Sequence, residues 1–180
     1  MDADAIEAGL AAWGYPLFTR VPEGAPKPDL AELIRACLGS ENPRHEGAVV
    51  ALLLANDVAQ TQPAVAALLA GLPDKELRRL RRSTLAADYL AEIYDADFRA
   101  LLGRDATPPV ELFDRGALPP RAADDGEAGL RALAAEIARE ESEPWIDWAG
   151  SLEDPAVKLI KHLWIGKGRE LAQARHARAH

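Results

Sequence analysis

Cysteine is almost missing from this chain. Cys37 is the only one in 180 residues, so no disulfide can form within it, and the expectation is a reducing, cytoplasmic setting. Aromatic residues make up only 6% and β-branched residues are sparse, which disfavours a sheet. No run of 18 apolar residues occurs, so no transmembrane helix is expected. The acidic, amphipathic start MDADAIEAGLAAWGY does not read as a signal peptide. A Gly-rich phosphate loop, an HExxH pair and a Ser–His–Asp order are all missing, so the sequence points to no cofactor and no metal. The formal net charge of −8 argues against a surface that coats nucleic acid.

What is present is alanine and leucine at helical spacing, with 48% hydrophobic and 28% charged residues. That is an ordinary balance for one domain, or one domain with an appendage. The expected fold class is all-α: a helical bundle or a short stacked-hairpin array around one long central helix. That helix is read over 74–102, where Leu77, Leu80, Thr84, Ala87, Ala91, Tyr94, Phe98 and Leu101 recur at spacings of three and four,. With no Gly or Pro inside, it would form a single rod of roughly 43 Å.

Shorter helices precede it. Asp4 with Glu7 suggests a capped first helix that ends at Gly14, and Asp29 with Glu32 a second that ends at Gly39,. Asn42-Pro43 opens a third, apolar on nearly every side and ending at Asn56, and Pro63 is expected to open a fourth,. Residues 104–125, with four prolines and little periodicity, read as a linker,. A helix then resumes at Glu127, and PWIDWAG reads as a turn. Asp154-Pro155 is expected to open a last helix broken by Gly166 and Gly168,. The plan is a main helical domain over 1–103, a linker over 104–125, and a C-terminal section over 126–180 with a basic tail.

The charge is unevenly placed. Residues 158–180 carry six Lys/Arg against one acid, or +5, leaving −13 on residues 1–157. Such asymmetry points to a tail that serves a protein partner or a nucleic acid. A second basic cluster, Lys75, Arg78, Arg79, Arg81 and Arg82, falls where the central helix begins and opposes its macrodipole,. The candidate partner-binding residues are therefore Arg78, Arg79, Arg81, Arg82, Lys167, Arg169, Arg175 and Arg178. A compensated surface around Asp74 and Glu76 is the plain reading of the first four.

Two resemblances lie within residues 29–103. The segment LIRACLGSENPRHEGAVVALLLAN resembles a HEAT-like helical pair joined by a Pro-Arg turn, which implies a protein-binding scaffold if such pairs stack. The block ELIRACLGSENPRHEGAVVALLLAN, followed by LRRLRRSTLAADYLAEIY, is similar to small helical antitoxin-like proteins that accompany minimal nucleotidyltransferases in toxin–antitoxin operons. That resemblance implies a binding partner of a toxin nucleotidyltransferase and not the transferase itself, whose Gly-Ser and paired-aspartate signature is missing here.

The remaining candidates have plain readings beside them. Arg169 and His176 match the Arg-x(4–6)-His spacing of HEPN-type ribonucleases, as do Arg175 and His180. The alternative reading makes Arg169 and His176 catalytic residues that would hold the scissile phosphate and move the 2′-hydroxyl proton. Asp88, Glu92 and Asp95 form an acidic line expected to be solvated, with Arg99 paired to Asp95. His45 and His162 have no second ligand at metal spacing. Cys37 reads as a small buried hydrophobe. Trp145, Trp148 and Trp164 read first as anchors of the C-terminal section and second as base-stacking platforms.

Overall fold

The computed structural model of the chain describes residues 1–15, 27–103, 126–141 and 147–178, with side chains up to residue 168 apart from Val58. Eight helices and no strand occur among these residues, an all-α bundle. They are α1 Ala3–Ala12, α2 Leu30–Gly39, α3 Pro43–Ala55, α4 Val58–Leu69, α5 Asp74–Ile93, α6 Asp95–Leu102, α7 Gly126–Glu140 and α8 Trp148–Arg178.

Local chemistry explains the starts. The Asp29 carboxylate accepts from the Glu32 amide at 3.0 Å, and the Asn42 side chain accepts from the Arg44 amide at 3.1 Å with Pro43 in the first turn. Each satisfies a backbone donor that a helix N-terminus leaves open. Asn56 closes α3 by donating its side-chain amide to the Leu52 carbonyl at 2.9 Å. The first helix is capped two residues earlier than Asp4 would place it: Asp2 accepts from the Ala5 amide at 2.9 Å.

Three further boundaries differ from the sequence expectation. The long helix is two helices, because the chain turns at Tyr94, whose φ and ψ are −107° and 22°. Helical hydrogen bonds run into and out of the turn, from the Tyr94 amide to Leu90 and from the Phe98 amide to Tyr94, both 3.0 Å. The turn redirects α6 onto α8: Phe98 is fully buried, the Tyr94 hydroxyl donates to Glu153, and Lys167 donates to the Ala100 carbonyl. Pro63 does not open α4, which starts five residues earlier from Asp57, where Gln60 completes a capping box. Likewise Pro155 lies inside α8, Asp147 accepts from the Gly150 amide at 3.0 Å, and the helix runs through Gly166 and Gly168 without a break. Proline was read as a start signal at both places, but a first-turn proline and an interior one look alike in sequence when capping residues stand at both distances.

Helices α3, α5, α7 and α8 pack against one another, α2 lies on α3, α4 and α5, and α1 rests on α2. A single apolar core joins Leu33, Ile34, Leu52, Leu53, Leu80 and Leu90 of the N-terminal helices to Leu130, Leu133, Ile137, Leu159 and Ile160 of the last two. Residues 126–160 thus share their core with residues 1–103, and the expected linker of 104–125 lies outside the described residues. No helix among those described is long and apolar enough to cross a membrane.

Candidate interaction surface

The basic cluster on α5 divides by direction, as residues three and four apart share a helix face while neighbours do not. Arg79 turns inward. Its Nη1 donates to the carbonyls of Leu38 at 2.7 Å and Ser40 at 3.0 Å, and its Nε lies 3.3 Å from the Glu46 carboxylate. This guanidinium therefore caps the C-terminus of α2 and ties it to α3 and α5. Arg82 makes a fork to α7, with Nη1 2.7 Å from Glu141 and Nη2 on Glu140. Both arginines act as fasteners between helices. Arg78 is exposed and Arg81 half-buried. A cavity of about 340 Å³ between Lys75, Arg78, Arg79, Arg82, Glu140 and Glu141 carries both signs of charge.

The same network sets the protonation of its carboxylates. Burial raises the Glu46 carboxyl above its ordinary value, and Arg79, Arg82 and Lys75 only partly offset this while Glu141 adds to it,. Glu141 is lowered, chiefly by the hydrogen bond from Arg82. A second cavity, of about 510 Å³, continues past Glu46 and Glu141 to Trp148 and Leu152 of α8.

The acidic line does not hold together. Asp88 is buried on the inner face, Glu92 is exposed, and Asp95 lies beyond the turn at Tyr94, where it pairs with Arg99 at 2.9 Å. No group of three His, Cys, Asp or Glu that could hold a metal occurs among the described residues. His45, which the sequence offers only as a ligand without a partner, is almost fully buried: its Nδ1 lies 2.8 Å from the Ser40 hydroxyl and its Nε2 3.5 Å from the Asn42 side-chain amide. It locks the turn from α2 to α3, and the signal was Ser40, Asn42 and His45 at short spacing. Cys37 is buried as read, and burial pushes its thiol up to about 12.

The tryptophans part company. Trp148 packs against the core, Trp145 lies outside the described residues, and Trp164 is 48% exposed with Ile165 beside it at 56%. These two, with Met1, are the large hydrophobic side chains exposed among the described residues. Anchoring is the first reading for Trp164, and it fails there because that side chain lies on the outward side of α8, while Leu163 before it packs on the core and Lys167 after it is tied to α6. The buried contributions of α8 are Ala156, Leu159 and Ile160. Lys158, Lys161 and His162 are exposed on the same stretch. Lys167 faces α6, where it satisfies a carbonyl of that helix's last turn,. Arg169, Arg175, His176 and Arg178 stand on helical backbone, Arg169 and His176 about two turns apart, and their side chains lie outside the described residues,.

The exposed Trp164–Ile165 pair was legible only as a tryptophan near basic residues. Its exposure depends on which side of α8 turns outward, and that is set by packing on the core and on α6, far away in the sequence. In comparisons with protein-family models, curated proteins and solved structures, nothing matches the chain.

Proposed function

We propose that this chain is a cytoplasmic helical interaction protein that docks a protein partner through the outer half of α8. One observation carries the reading: Trp164 and Ile165, about 100° apart around α8, are each about half exposed on its outward side. An exposed aromatic beside an aliphatic residue, rimmed by charge, is the composition of an interface anchor. On the sequence resemblance, the partner is a minimal nucleotidyltransferase and the chain its antitoxin-like companion.

The test is direct. The product of the adjacent gene is purified and titrated with the wild-type chain and with a Trp164→Ala/Ile165→Ser double variant. The expected result is a nucleotidyltransferase that binds the wild-type chain and binds the variant at least about thirtyfold more weakly, the loss of two anchor residues at about 1 kcal/mol or more each. An adjacent gene of another kind, or a complex indifferent to the double substitution, overturns the reading.

A further inference from the structure

Two glycines sit inside α8 where the helix has no internal need for them. A Cβ built at Gly166 or Gly168 meets no atom within 4 Å. Neither has a positive φ among the described glycines, so neither serves a turn. Each nonetheless costs the helix about 1 kcal/mol relative to alanine. On helical spacing Gly168 falls one turn beyond both Trp164 and Ile165, at i+4 and i+3,. The exposed face therefore reads, along the axis, Lys158, which is paired with Asp154, and Lys161, then Trp164 and Ile165, then a notch at Gly168.

Resting on the docking reading above, we infer that this notch admits the backbone of an acidic, amphipathic helix of the partner, with Trp164 and Ile165 as apolar anchors on its near side. A glycine on an exposed helix face lets a second helix approach more closely than any side chain would allow. Charge selects the sign of the occupant. The segment 158–180 is +5, against −13 for the rest of the chain, so a short acidic helix laid on α8 meets its complement. An extended polyanion would also face the acidic remainder. A second copy of the chain would set one basic α8 against another, a like-charge contact that works against association. Stacked bases would use Trp164 but not Ile165, since stacking needs an aromatic face.

The experiment uses the full chain and three probes: a helical peptide with leucine at i, i+3, i+4 and i+7 and glutamate elsewhere, the same peptide with lysine for glutamate, and a single-stranded RNA 12-mer. Binding is followed by fluorescence anisotropy of the labelled probes at low and moderate salt, with Gly168→Ala and Gly168→Leu beside the wild type. The expected result is saturable binding of the acidic peptide alone, weakened by salt. It is reduced about tenfold or more by Gly168→Ala and lost with Gly168→Leu, while far-UV circular dichroism shows helix content kept or raised. Binding of the lysine peptide or the RNA in its place overturns the inference, as does a Gly168→Ala variant that binds like the wild type. Failure here stays distinct from failure of the docking reading. If the double variant loses the nucleotidyltransferase while the acidic peptide neither binds nor competes, the surface stands and the acidic helix falls. If the double variant keeps its partner, both fall.

Discussion

The Tyr89 ring fills the space that a side chain at position 129 would occupy. A Cβ built on Gly129 lies 2.1 Å from Tyr89 Cε1 and 2.5 Å from two further ring carbons, and Tyr89 is buried. The glycine is what lets α7 lie close on α5. Gly129→Ala should therefore cost about 1–3 kcal/mol, the usual cost of overpacking a filled core, read from urea unfolding. A neutral result would mean that Tyr89 swings out freely. The arginines allow a similar contrast. Arg79→Ala removes a charged donor from two carbonyls and a carboxylate, and about 1.5–3 kcal/mol should be lost with it. Arg78→Ala, on the exposed side of the same turn, should stay within about 0.5 kcal/mol. Equal effects at 78 and 79 would show that the inward turn of Arg79 carries no stability. Leu53 of α3 and Leu90 of α5 are buried. Their alanine variants should each lose about 2–5 kcal/mol.

At the scale of elements, the junction of α2, α3, α5 and α7 is electrostatic as well as apolar, and its pH dependence has a definite sign. Glu46 is raised above 4.5, first by burial. The folded state therefore binds its proton more tightly than the unfolded chain, and this group withdraws stability as pH rises from about 4.5 through its folded value. Glu141 is lowered by its hydrogen bond from Arg82. Its contribution is present above about 4.5 and is lost as pH falls through its folded value. Glu46→Gln should thus be close to neutral at pH 4 and neutral to stabilising at pH 7. Denaturant midpoints at the two pH values check this, and a variant weaker at pH 7 than at pH 4 would make the Arg79 pair the dominant interaction of Glu46.

The elements also show what sequence could reveal. Caps at Asp29 and Asn42, and the ends at Gly39 and Asn56, were legible because they depend on neighbours within four residues. The break at Tyr94 was not. Its causes, Glu153 and the seat of Phe98 against α8, lie far along the chain, and a local pattern without Gly or Pro argues for continuity. The inward use of Arg79 was equally out of reach, because its acceptors Leu38 and Ser40 are some forty residues away.

At the scale of the molecule, α8 is the element that belongs both to the core and to the outer surface. Its 31 residues span about 46 Å, and its buried residues end at Ile160, with Leu163 partly covered and Lys167 tied to α6. Beyond residue 168 Leu171 is the one large apolar residue, and its burial yields at most about 2–3 kcal/mol. Ordering costs about 1–2 kcal/mol per residue before helix hydrogen bonds are counted. The sequence reads this stretch as a basic tail beyond a helix broken at Gly166 and Gly168, with too little apolar area to hold it when free, whereas its backbone is helical to Arg178. The two views separate on truncation. Deleting 169–180 should move the thermal midpoint by less than about 2 °C, since about 1 kcal/mol corresponds to 2–4 °C in a chain of this size. It should also weaken partner binding, more at low salt than at high, because Arg169, Arg175 and Arg178 depart and their attraction is screened by salt. Cutting instead after Glu153 removes Ala156, Leu159 and Ile160 from the core and should abolish the cooperative transition. If the shorter truncation also unfolds the protein, the outer half of α8 is a packed structural helix, and a docking surface there is no longer tenable.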